Sequence, residues 1–224
     1  MINLSEFKVD KTILLINIFQ TYLSTIASRL EPALLNKIDS IGKCVINYLH
    51  TKNISTNKKT FSNYSELYKI VTEDSELSAL SENIFKTPEF QSIYDETVAY
   101  KDKVQNEWEG SKQNIENIFE NHLKIDVPDK AVSVNILHPY CYDGTNNQNN
   151  EIYYGHYKGI DNKNYNLVYL MHEYMHCIFP YKSDWNSQQK YLCHSLIELA
   201  TDNELRVRLG DCSIRYDVGH EELT

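Results

Sequence analysis

In Val168–Phe179, VYLMHEYMHCIF, His172 and His176 stand four residues apart inside an otherwise apolar run, and Glu173 follows the first of them. Polar side chains among Leu170, Met171, Met175, Ile178 and Phe179 are costly to bury unless something satisfies them. On a helix, residues four apart share a face with Cβ atoms about 6 Å apart, so both imidazoles reach one ion. Zinc suits such a pair, because a catalytic zinc takes three protein ligands and keeps one position open. Glu173 is rotated by roughly 100° from His172 around the helix, which puts it beside the metal rather than at it. A general base must stand there to take a proton from a water that the metal activates.

Such a site needs a third ligand, and the following segment, CHSLIELATDNEL, offers candidates. Glu198 and Asp202 share one helical face; Glu198 completes a His2Glu set. Asp202, one turn on, can accept a hydrogen bond from the other ring nitrogen of a ligating histidine and so fix its tautomer. His194 lies one turn before Glu198 on the same face and is the competing third ligand. It ranks second because no partner like Asp202 orients it. Glu204 faces elsewhere.

HEYMH followed by ELATD resembles the gluzincin zinc metallopeptidases, which carry H-E-x-x-H on one helix and E-x-x-x-D on a later one. The resemblance covers roughly residues 130–210 and rests on the two motifs, their order and their spacing. It implies His172, His176 and Glu198 as zinc ligands, Glu173 as general base and Asp202 as the orienting partner. It also implies a sheet before the first motif helix, with an edge strand that binds substrate in extended form; EIYYGHYKG is placed to be that strand. No motif marks the tyrosine or histidine that would stabilise the transition state, and Tyr216 and His220 are the tail candidates. Residues 1–125 contain nothing similar to a gluzincin segment.

Plainer readings stand beside these. HEYMH can be the solvent-facing stripe of an amphipathic helix, and TDNELRVR makes a solvated acidic face plausible for Glu198 and Asp202. Against that, apolar Leu196, Ile197, Leu199 and Ala200 surround Glu198. Cys177 and Cys193 border the site but read as small core residues rather than ligands. Only their place in the tail recommends Tyr216 and His220, so ordinary surface or packing roles compete there.

The elements that must carry these groups follow from periodicity. KTILLINIFQTYLSTIASRL and PALLNKIDSIGKCVINYLH predict two helices separated at Pro32, and TKNISTNKKTFS predicts a loop. NYSELYKIVTEDSELSAL and TPEFQSIYDETVAYKDKVQNEWEGSKQNIENIFENHL predict two more helical segments, with Gly110 a possible break in the last. Past IDVPDK the texture changes. AVSVNILHPY and EIYYGHY predict strands around the loop DGTNNQNN. Two helices then carry the motifs, the first ended by Pro180 and the second stopped by Gly210. The expected fold is therefore α+β and mostly helical: a helical region over residues 1–125, then, by the resemblance, a zincin-like domain over 126–224 with a short sheet.

Bulk composition narrows the partners. The chain has 224 residues, is 42% hydrophobic and carries a net charge of −9, so it can bury a core and lacks the basic face that nucleic acid requires. Five scattered cysteines, with no Cys-x-x-Cys pair, form neither a disulfide framework nor a thiolate zinc site. No stretch reaches membrane-spanning length and the N-terminus lacks a signal-peptide pattern, so a soluble cytoplasmic protein is the expectation. The function expected is a zinc-dependent peptidase acting on a peptide or protein. The alternative is a non-catalytic zinc-containing protein whose helical half binds a partner, and a metal hydrolase for another substrate is a third reading.

Overall fold

The structure, a computed structural model, describes residues 1–24, 30–52, 64–141, 146–147 and 150–210. It is mostly helical with one small sheet. Strand β1 (Leu4–Lys8) is followed by helices α1 (Lys11–Leu23), α2 (Pro32–Thr51), α3 (Tyr64–Glu73), α4 (Ser75–Ile84) and α5 (Pro88–Asn117). A π-helical turn, Ile118–Leu123, closes α5. Then come β2 (Val132–Ile136), β3 (Asn146–Asn147), β4 (Glu151–Tyr154), α6 (Lys158–Asp161), α7 (Lys163–Ile178) and α8 (Ser187–Glu198). A second π-helical turn, Leu199–Leu205, and the short α9 (Arg206–Arg208) continue α8 as one ridge.

Local chemistry sets most boundaries. Asp10 caps α1 by accepting from the backbone of Thr12 and Ile13 at 2.8 and 3.0 Å. Helix α1 is buried without a gap from Ile13 to Thr21, which explains its unbroken apolar texture. The segment NYSELYKIVTEDSELSAL is two helices, because the Asp74 carboxylate turns inward to cap Glu76 and Leu77 and starts α4. Thr87 and Pro88 open α5, which runs straight through Gly110; a glycine inside a long helix costs only about 1 kcal/mol and does not end it. Gly210 ends the last ridge at φ +87°, a left-handed residue that glycine adopts freely.

The sheet order is β1-β2-β4-β3, with β1, β2 and β4 parallel and β3 antiparallel to β4. Strand β1 was not expected from the sequence: LSEFK is short and half polar, and its partner lies some 130 residues on, beyond any local signal. Strand β4 is flanked on both sides, by β2 and, over Glu151 and Ile152, by β3, so EIYY is not the sheet edge expected of it. Among the described residues the edges are β1 and β3.

Alternation along the strands feeds two cores. Val132, Val134, Ile136, Ile152 and Tyr154 pack against α7 and the second half of α5. Leu137, Cys141 and Tyr153 join a second cluster built from α1, α2, α3 and the start of α5. Ile2 and Leu4 lie in the same cluster as Leu170 and Met171, so the packing runs across the division expected at residue 125. Among the described residues, no helix is long and apolar enough to cross a membrane.

An ion pair between a buried histidine and a half-exposed glutamate ties α5 to the end of β2. His138 is 1% exposed, and its Nε2 lies 3.3 Å from the Glu96 carboxylate. Hydrogen bonding to His138 above all draws the Glu96 carboxyl down to about 2. Burial alone would lower His138, but bonds to Cys141 and Glu96 outweigh it and hold the imidazole at about 9. The glutamate's contribution is present above its ordinary 4.5 and lost as pH falls toward 2; the histidine's is full below 6.5 and lost as pH rises through 9. Half of the Glu96 side chain faces water, so the pair contributes about 1 kcal/mol. Urea midpoints should therefore drop between pH 6.5 and 9.5, and Glu96→Gln should flatten part of that alkaline drop, the rest following from the Cys141 contact.

Candidate metal centre

Helix α7 is held from its first turn. Asn162 caps it by accepting from Asn164 and Tyr165 at 3.0 and 3.3 Å. Asn166, fully buried, accepts from Tyr100 Oη on α5 and Tyr154 Oη on β4 and donates to Glu107 and to the Gly159 carbonyl. Leu167, Leu170, Met171 and Tyr174 then bury the rest of the helix in the core. That anchoring leaves one partly open face, and His172 and His176 stand on it.

Helix α8 supplies the opposing group. Asn186 and Gln189 form a reciprocal capping box at its start. Its exposed face carries Leu192 and Leu196, while its other face turns His194 toward α7. The three imidazole rings form a near-equilateral triangle, with centroids 4.9, 5.3 and 5.0 Å apart. One nitrogen from each of His172, His176 and His194 lies within 4.8 Å of the others, a group that can hold a metal ion. A tetrahedral zinc with bonds of about 2.0–2.1 Å sets its nitrogens roughly 3.3 Å apart. The observed separations bracket that value: His194 Nδ1 is 2.9 Å from His176 Nε2, and no pair exceeds 4.8 Å.

Carboxylates back two of the rings. Asp202 Oδ2 lies 3.2 Å from His172 Nδ1, which puts the proton on that nitrogen and turns Nε2 toward the cluster. The π-helical turn after α8 carries Asp202, consistent with such turns marking functional places in helices. Glu198 Oε1 lies 3.2 Å from His194 Nε2 in the same manner. Burial alone would depress His172, yet Asp202 and the neighbouring Glu173 and Glu198 raise it above its ordinary value. His176 has no such support: burial first, then repulsion from His172 and His194, lower it to about 3. It is therefore neutral at physiological pH, the form that binds metals.

The donor chemistry fits a cation on a further count. Glu198 is 3% exposed, and its Oε2 has no hydrogen-bond partner. A buried carboxylate oxygen left bare is unfavourable unless a cation or a proton joins it. Glu173 is also buried, at 7% exposure, one residue along α7 from His172. Cys177 is packed in the core, and burial followed by the nearby Glu173 charge pushes its thiol up to about 12, so it offers no thiolate.

The structure groups His172, His176 and His194, with Asp202 against His172 and Glu198 against His194. His194, ranked below Glu198 for want of an orienting partner, has one, and it is Glu198 itself. Tyr216 and His220 lie outside the described residues. Two tyrosines do stand by the site: the Tyr181 ring meets His176 edge-on at 5.6 Å, and the Tyr169 ring lies 6.5 Å from His172. Burial first, then the neighbouring Cys193, Glu173 and Glu198, raise the Tyr181 hydroxyl above its ordinary value. The signal for Tyr181 in the sequence was the FPYK turn directly after the motif helix.

The Asp202 contact carries a direct prediction. Asp202→Asn should weaken metal binding by about 10–100-fold, read by chelator competition, with the fold unchanged. Equal affinity in the two proteins would mean that Asp202 does not orient His172. Comparison with protein-family models, with curated proteins and with solved structures found no match to the chain.

Proposed function

We propose that this protein is a zinc-dependent peptidase, with His172, His176 and His194 holding the metal and Glu173 acting as general base. The observation that carries the reading is the convergence within 4.8 Å of three imidazole nitrogens, two from α7 and one from α8, with a buried glutamate next to the first histidine on α7. Zinc in such a site, when bound, acts as a Lewis acid toward water and a carbonyl oxygen. Glu173 takes the proton of the attacking water and delivers it to the leaving amine. Asp202 and Glu198 hold His172 and His194 in the tautomers that keep a lone pair on the metal side. Tyr181, protonated beside His176, donates a hydrogen bond to the oxyanion of the tetrahedral intermediate. An extended substrate would lie along β3, the sheet edge that packs against α7, with main-chain hydrogen bonds positioning it.

A non-catalytic zinc protein is the second reading, and Glu198 favours it. A swing of its bare Oε2 to the metal would give four protein donors and a closed site, as in structural zinc centres. Zinc content after purification without chelator, paired with a peptide-library cleavage assay, separates these readings. Near-stoichiometric zinc with cleavage that chelation abolishes and zinc restores supports the peptidase. Stoichiometric zinc without cleavage supports the closed site, and no zinc uptake removes both.

A further inference from the structure

The sheet face opposite α7 holds a second, separate cavity of about 320 Å³. Lys8, Asn135 and Tyr153 are cross-strand partners on β1, β2 and β4, so they stand in one row on that face and all line the cavity. The row lies at the carboxyl ends of three parallel strands, the place where open sheets with helices on both faces bind ligands. Asn135 is 2% exposed, and its Oδ1 has no hydrogen-bond partner. A buried acceptor left unpaired next to an open cavity points to a ligand that brings a donor.

The remaining lining defines that ligand. Asp10 and Glu151 contribute carboxylates, and Lys8 and Lys69 contribute ammonium groups. Asp10 spends only Oδ1 on capping α1, and Tyr153 Oη donates to Glu151 Oε2 at 2.8 Å, which fixes that carboxylate in place. Lys8 Nζ also lies 3.5 Å from Glu6 Oε2, so both signs of charge surround a space at the small end of ligand cavities, which suits a small molecule with one charge of each sign. We propose that this cavity binds a free α-amino acid. Its ammonium donates to Asn135 Oδ1 and the two carboxylates, and its carboxylate meets Lys8 and Lys69. The site is independent of the metal centre, which lies on the other side of the sheet.

Calorimetric titration of the full chain with each proteinogenic amino acid, and with its N-acetyl derivative, tests this. One or more amino acids should bind at one site per chain, and N-acetylation should weaken binding by about tenfold or more, since it removes the ammonium. Asn135→Leu should abolish binding, Glu151→Gln should weaken it by about tenfold, and His172→Ala should leave it unchanged. If Asn135→Leu does not fold, Glu151→Gln decides. No binding by any amino acid overturns the proposal, as does binding that survives both substitutions. Binding that His172→Ala abolishes while Asn135→Leu preserves it belongs to the metal centre and also overturns the proposal.

Discussion

Glu173→Gln should keep wild-type zinc content and lose hydrolysis by about 10²–10⁴-fold, the range over which a positioned acid–base group accelerates proton transfer. The substitution preserves shape and hydrogen-bonding capacity but removes the acceptor of the water proton. Glu173 is nearly buried on a helix whose other residues lock it into the core, so glutamine has little freedom to relax elsewhere. It is also no member of the imidazole trio, so metal affinity should stay within a few-fold of wild type. The readout is paired: zinc by atomic absorption, and kcat/KM on the best peptide from a library screen. Wild-type turnover in the variant would remove the general-base role. Loss of zinc together with turnover would show instead that Glu173 sits among the ligands.

The parts of this site legible in the sequence were those set by spacing along a single helix. His172, Glu173 and His176 are fixed relative to one another by α-helical geometry alone, whereas Asp202 sits in the π-helical turn that follows Glu198, which simple i,i+4 spacing does not foresee. What spacing cannot give is the rotation of α8 against α7, because that depends on packing between helices. That rotation decides whether the His194 or the Glu198 side chain arrives first at the cluster. Spacing offers Asp202 as a partner for a ligating histidine without saying which, and it does not show Glu198 as a partner for His194; packing supplies both contacts. The same limit hid β1, whose pairing with β2 joins the chain's start to its second half, and hid β3 at the edge of β4. Tyr181 was passed over because no helical register links it to the motif; it reaches His176 only through the turn that Pro180 begins.

The third ligand is resolved by a pair of substitutions. His194→Ala should lower zinc affinity well beyond the ~10–100-fold that loss of an orienting partner costs, and Glu198→Ala should stay within that range. The reasoning rests on which atom reaches the cluster. His194 Nδ1 is 2.9 Å from His176 Nε2, whereas Glu198 Oε1 meets the far nitrogen of His194. Removing Glu198 deletes a buried carboxylate with a bare oxygen, so metal-free Glu198→Ala should lose less thermal stability than burial of the residue alone would suggest. The reverse affinity pattern, zinc lost with Glu198→Ala and kept with His194→Ala, would return the ligand set to His172, His176 and Glu198. His194 would then act as a gate that must swing aside before Glu198 can bind the metal. In that case zinc uptake by His194→Ala should be faster than by wild type, which a stopped-flow measurement with a zinc-sensitive dye would read directly.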